Sequence, residues 1–224
     1  MLSRTLTVKE NEPQISALGD HDLVLGQQVE SSNGHVHVNV IWKVRSLAPQ
    51  MSVIWQAKYA LQWTQELPGN GEQILYNGAD WQPCEPGEAF ELNSHGFWVS
   101  SSRATPDYIT IGSNNYKHGV HIIIGLFNSH IDNYEPVFVD PEQILPRGQG
   151  AYRPRNRAML WFQIEAEPSA YSSKDYGASG EVDTSAPNVH TETHSWTGTY
   201  DPRSGSWSGN IHNVTKPHGT KNDD

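Results

Sequence analysis

Alternation of apolar side chains with a period of two, sustained over unusual length, constrains this chain most. Val36, Val38, Val40, Trp42 and Val44 fall on one face of an extended segment, with His35, His37, Asn39, Ile41 and Lys43 on the other. A second run places Val53, Trp55, Ala57, Tyr59, Leu61 and Trp63 opposite Ile54, Gln56, Lys58, Ala60, Gln62 and Thr64. Period two belongs to strands, because successive side chains point to opposite faces of the pleat. The link Ser46-Leu47-Ala48-Pro49-Gln50 is short. The pair predicts a long antiparallel hairpin with one face on the core.

Shorter strands are expected at 72–76, 89–92, 97–101, 108–111, 120–127, 136–139 and 158–165. Turn formers such as Pro68-Gly69-Asn70-Gly71, Asn77-Gly78, Pro86-Gly87 and Asn93-Ser94-His95-Gly96 separate them; Gly supplies positive φ there and Asn tolerates it. Helix is scarce. The best candidate is Asp140-Pro141-Glu142-Gln143-Ile144-Leu145, with Asp140 as N-cap and Pro141 in the first turn. The pattern predicts an all-β fold, an antiparallel β-sandwich, jelly-roll-like or similar, with few or no helices. Residues 1–167 form the expected sandwich domain. Residues 168–224 form a polar extension rich in Ser, Thr, Gly and His. Within it, Ser195-Trp196-Thr197-Gly198 and Ser206-Trp207-Ser208-Gly209 flank the turn former Asp201-Pro202-Arg203-Ser204-Gly205, which predicts a small hairpin carrying two tryptophans.

With 224 residues, one all-β unit can bury a sizeable core. The formal net charge of −10 repels phosphate backbones, so nucleic acid is not an expected partner. Arg147, Arg153, Arg155 and Arg157 cluster locally. They read as a surface group pairing with the acidic surplus, or alternatively as an anion-binding loop. Cys84 is the one cysteine, so no intrachain disulfide forms, and its Glu85 neighbour disfavours a reactive thiolate. The N-terminus shows no apolar signal region, and no apolar run is long enough to span a bilayer. The expected location is the cytosol, or release without a secretory signal.

Three histidine groups invite a metal reading. His35 and His37 share a strand face, and two such imidazoles can converge on one ion. His190-Thr191-Glu192-Thr193-His194, if extended, puts His190, Glu192 and His194 on one face, a ligand set of two imidazoles and a carboxylate. His118 and His121 form the weakest pair. Sequence motifs for a nucleophile elbow, a phosphate loop or a dinucleotide fingerprint are absent.

Aromatic content points elsewhere. The chain has 8 Trp and 9 Tyr against 5 Phe. These rings combine a flat apolar face with a polar edge, which suits wet binding surfaces. Trp42, Trp55, Trp63 and Trp161 alternate with apolar residues and read as core. Tyr76, Trp81, Trp98, Tyr116, Trp196, Tyr200 and Trp207 lie beside turns rich in amides and hydroxyls. The leading expectation is a non-catalytic, lectin-like protein with no cofactor. It would bind a glycan or other small ligand through Trp81, Asn114, Tyr116, Trp196 and Trp207. One alternative is an enzyme using a divalent metal at His35, His37, His190, Glu192 and His194. The other is a self-assembling, homo-oligomeric structural protein.

Overall fold

The computed structural model describes residues 4–78, 80–173, 179–185 and 194–214. Its elements, in chain order, are β1 (Arg4–Lys9), α1 (Glu12–Leu18), β2 (Asp22–Ser31), β3 (Val36–His37), β4 (Lys43–Ser46), β5 (Gln50–Trp55), β6 (Tyr59–Thr64), β7 (Gln82–Cys84), β8 (Ala89–Leu92), β9 (Trp98–Ser100), β10 (Ile109–Asn114), β11 (His121–Asn128), β12 (Asn133–Val139), β13 (Gly150–Gln163), β14 (Gly180–Asp183), β15 (His194–Asp201), β16 (Ser206–Gly209) and β17 (His212–Asn213). The fold is all-β, with largely antiparallel sheets packed in sandwich fashion. One sheet runs β16-β15-β1-β5 and another β12-β11-β6-β7. The largest runs β17-β14-β13-β10-β8-β9, with β2 on the far edge of β13 and β3 and β4 on β2. All three contribute to one core that includes Leu6, Val53, Leu25, Leu160, Leu61, Ile122 and Trp42. No described helix is long and apolar enough to cross a membrane.

The long hairpin expected from the alternating runs does not form. Strand β4 pairs with β2, β5 with β1, and β6 with β11 and β7. The reason lies in burial. A hairpin with one wet face needs a polar set of side chains, yet all six residues of β6 are buried. Residues 39–43 are also buried on both alternating faces. Such strands belong inside a layered structure. Residues 39–41 bond instead to the segment at 169–172. There the Ile41 amide donates to the Ala170 carbonyl (3.0 Å), the Ser169 amide to Ile41 (2.7 Å) and the Ser172 amide to Asn39 (2.9 Å).

Two other expectations are corrected. Residues 140–145 are not helical. The Asp140 carboxylate does accept the Glu142 amide (2.9 Å), but Ile144 exchanges backbone bonds with Val120, and that bridge holds the segment extended. The one helix among the described residues is α1. Asn11 caps it in a capping box with Gln14, reciprocally satisfying two backbone donors. Residues 72–76 form no strand beyond the single bridge of Gln73 to Ala170.

The segment around α1 and strand β15 meet at Glu10. Its carboxylate is buried and accepts the Tyr200 amide (2.8 Å). Gln14 Nε2 donates to the Tyr200 carbonyl (2.8 Å). Strand β15 runs parallel to β1 and turns back into β16. In this hairpin Trp207 stacks on Phe162, with ring centroids 5.6 Å apart and 5° between planes.

Three of the four clustered arginines are taken up by carboxylates. Arg153 and Arg155 both pair with Glu30 (2.6 Å each), and Arg157 pairs with Glu181 (2.9 Å). Burial would raise the Glu30 carboxyl, but the hydrogen bonds and charges of the two guanidiniums outweigh it and hold it below its ordinary value. At the shift in register beside these arginines, between Pro154 and Ala158, the buried Gln27 Nε2 donates to the Arg155 and Arg157 carbonyls.

Asn39 joins the irregular segment to β12. Its side chain donates to the Val139 carbonyl (2.6 Å) and accepts the Val139 amide (3.3 Å), as a neighbouring strand would. Asn39→Ala leaves both backbone groups buried and unpaired, an expected loss of about 2–4 kcal/mol. Urea denaturation measures it, against a change of less than about 0.5 kcal/mol for the exposed Ser102→Ala.

Candidate functional site

The sheet β12-β11-β6-β7 has two apolar faces. Leu61, Trp63, Ile122, Ile124, Leu126 and Phe138 meet the main core. Ile123 and Val139 face the other way, where Val40, Ile74, Leu67, Trp81 and Tyr171 cover them. This cover is loop rather than sheet. Residues 71–74 are stitched to 169–171: the Gly71 amide donates to Tyr171 (2.8 Å), Tyr171 to Glu72 (2.9 Å) and Ile74 to Ser169 (3.1 Å). Buried Gln62 on β6 steadies the approach to Trp81, its Nε2 donating to the Asp80 carbonyl (2.8 Å).

Beyond this cover the same face carries a row of aromatic rings. Trp81 rests over Gly125 of β11, where a Cβ would lie 2.6 Å from its Cζ3 atom. That glycine makes a notch in which the indole seats. Tyr76 packs on Trp81 at 5.2 Å between centroids, Trp81 on Tyr134 at 6.0 Å, and Tyr134 on Phe127 at 5.4 Å. Phe127 and Tyr134 are opposite each other in the β11–β12 hairpin. The Lys58 ammonium lies 4.8 Å from the Phe127 ring centroid, within cation–π range. Trp81, Tyr134 and Phe127 are half-buried, and Tyr76 is 42% exposed. The apolar tips Leu75 (78% exposed) and Ile131 (57%) lie in the loops that flank the row.

Of the five ligand residues expected from sequence, Trp81 belongs to this row. The other four lie elsewhere and do not converge. Asn114 is fully buried. Its Nδ2 donates to the carbonyls of His118 (2.9 Å) and Ile144 (2.8 Å), and its Oδ1 accepts the Tyr116 amide (3.0 Å), so it organises loops. Tyr116 packs on Trp63, Trp196 stacks on Trp55, and Trp207 is buried against Phe162 and Tyr200. Phe127, Tyr134 and Lys58 went unselected in the sequence. Their signal was the symmetric Phe127-Asn128 and Asn133-Tyr134 around a four-residue turn, which marks a hairpin with facing aromatics.

The histidine groups resolve less fully. His35 and His37 approach to 6.3 Å between ring centroids. No set of three or more His, Cys, Asp or Glu among the described residues is grouped to hold a metal. His190 and Glu192 lie outside the described residues, as does the side chain of His194; its backbone pairs with Arg4 in β15. His118 stacks edge-on against Tyr116, and His121 is buried with Nδ1 2.8 Å from the Asp140 carbonyl. Cys84 is buried. Desolvation first, then Glu88 and Glu85, push its thiol far above the ordinary value, which removes a nucleophilic role at neutral pH.

His37 belongs to a polar cluster between the sheets. Its Nε2 lies 3.3 Å from the Ser31 hydroxyl and its ring packs on Phe138 at 5.6 Å. Burial lowers its pKa, opposed by the nearby Asp140 charge. The buried Tyr152 hydroxyl donates to the Asp140 carboxylate. Desolvation raises the Asp140 pKa; the bonds from Tyr152 and Glu142 and the nearby His37 oppose the shift without cancelling it.

Neither a protein-family model, nor a curated protein, nor a solved structure matches this chain.

Two outcomes test this geometry. Gly125→Ala drives a methyl group into the Trp81 ring, so Trp81 is expected to leave its notch; near-UV circular dichroism should weaken while far-UV signal persists. For Asp140 the raised folded pKa means its stabilising contribution is complete below its unfolded value, near 3.8, and is lost as pH rises through the folded value. The stability of wild type relative to Asp140→Asn should therefore fall as pH rises above about 4 and level off once Asp140 is ionised in the folded protein as well. A constant difference in urea midpoint across that range would show that Asp140 is not so shifted.

Proposed function

We propose that this chain is a non-catalytic recognition protein that binds carbohydrate on the outer face of the β12-β11-β6-β7 sheet. The supporting observation is the row Tyr76–Trp81–Tyr134–Phe127, partly open to solvent, with Phe127 and Tyr134 on strands β11 and β12 and Trp81 seated on Gly125. Sugars present apolar C–H faces that stack on such rings and hydroxyls that need hydrogen-bond partners. Rigid aromatic side chains supply contact area at low entropic cost. The hydroxyls of Tyr76 and Tyr134 and the side-chain nitrogen of Asn77 donate to no acceptor among the described residues, whereas the Asn77 oxygen accepts the Gln65 amide (2.9 Å). Those groups are left to meet a polar ligand. Buried, partnered Asn114 and Trp207 are assigned structural parts, which narrows the ligand residues from the wider sequence expectation.

A glycan array probed with intact protein, with and without chelator, tests the reading. Selective binding that survives chelation is expected. Trp81→Ala should weaken the best hit by about tenfold or more, the loss typical of a central aromatic anchor. Binding abolished by chelator, or unchanged in Trp81→Ala, would move the site elsewhere.

A further inference from the structure

We infer that the ligand is a single extended, neutral glycan chain lying along the four rings, rather than one terminal sugar or a crystalline polysaccharide surface. The inference rests on the carbohydrate reading and adds the length, charge and form of the ligand.

Three observations carry it. The first is the number and spacing of the rings. Tyr76, Trp81, Tyr134 and Phe127 follow one another at centroid separations of 5.2, 6.0 and 5.4 Å. Each step is comparable to the advance of one pyranose ring along an extended chain, so successive sugars meet successive aromatics. A terminal sugar would leave most of the row wet.

The second is tilt. Neighbouring planes are inclined by 54°, 42° and 69°. No flat crystal face can touch all four rings at these angles. A single chain rotates about its glycosidic bonds and can turn from one ring to the next. Extended β-1,4 linkage suits a row laid along a sheet better than a coiled α-linked chain does.

The third is charge and polarity. The net charge of −10 opposes polyanionic chains. Lys58 is the cation at the Phe127 end, and it makes no ion pair with a described residue. One ammonium can donate to a sugar hydroxyl but cannot offset the charge of an acidic polymer. At the Tyr76 end, the phenol hydroxyl and the Asn77 amide supply donors. A lipid surface would exploit exposed Leu75 and Ile131, but would leave the polar edges of the row unsatisfied.

The experiment is a calorimetric titration of the full chain with neutral β-1,4-linked glucose and N-acetylglucosamine oligomers, from monosaccharide to hexasaccharide. Microcrystalline cellulose and chitin, and phosphatidylcholine vesicles, are run alongside. Affinity is expected to rise at least tenfold from the monosaccharide to the tetrasaccharide and then level off. Tyr76→Ala and Phe127→Ala remove the two ends and should each move the plateau to shorter chains, whereas Phe127→Tyr, which keeps the ring, should retain wild-type length dependence. Binding equal for all lengths, or stronger to crystalline polymer than to soluble oligomer, would overturn the inference and leave the carbohydrate reading standing. No binding to any sugar, with or without partition to vesicles, would overturn both.

Discussion

Strand β6 is buried on both faces, β11 carries apolar side chains on both, and the chain must cover each side. An exposed apolar sheet face of this size would cost on the order of 25 cal/mol for every Å² left in water. The main core covers one side. The other receives an irregular lid, formed where residues 39–41, 71–74 and 169–172 exchange backbone bonds. Because these segments are not in sheets, their polar groups need particular partners, which explains the buried Asn39. The lid covers Ile123 and Val139 and stops at Gly125. From there on, the face is finished with aromatic rings that tolerate partial contact with water. The candidate site is thus the unfinished end of a structural solution: the glycine that seats Trp81 in its notch belongs to the strand the core requires.

Much of the fold was legible from local pattern, and the failures share a cause. Strand β8 occurs where alternation and turn residues put it, and β9, β10, β11 and β12 start or end within a few residues of expectation. Alternation reports that a segment is extended. It cannot report which strand lies beside it. Adjacency in sequence suggests one hairpin for the runs at 36–44 and 53–63, yet their partners come from β1, β2 and β11. Double burial of parts of these runs is visible in Ile41, Trp42 and Ala60 on mixed faces, but a single chain does not say what covers the second face. The helix was misplaced for a related reason. Asp140-Pro141-Glu142 and Asn11-Glu12-Pro13-Gln14 carry similar starting signals, and long-range bridging of Ile144 to Val120 decides against the first.

The site was legible in residue type and not in position. Tryptophan and tyrosine beside turns point to partly open rings, and Trp81 and Tyr76 lie in the aromatic row. Turn proximity, however, does not separate a ring that caps an open face, such as Trp81, from one that seals a core, such as Trp207 against Phe162. Asn114 shows the same limit for amides, since a buried asparagine that organises three backbone groups reads in sequence like a ligand-binding one. The carboxylates around the arginines follow a simpler rule. Glu30 and Glu181 take the guanidiniums of β13, so the cluster shapes a bulged strand.

Eight tryptophans give the chain built-in reporters. Replacing them with 5-fluorotryptophan, and assigning the Trp81 signal through Trp81→Phe, allows a fluorine NMR titration with the neutral tetrasaccharide that binds best. The account predicts that the Trp81 resonance moves with saturable dependence on sugar while those of Trp42, Trp55, Trp161 and Trp207 stay fixed. A shift confined to Trp196 or Trp98, with Trp81 silent, would contradict it and place the ligand on another face of the molecule.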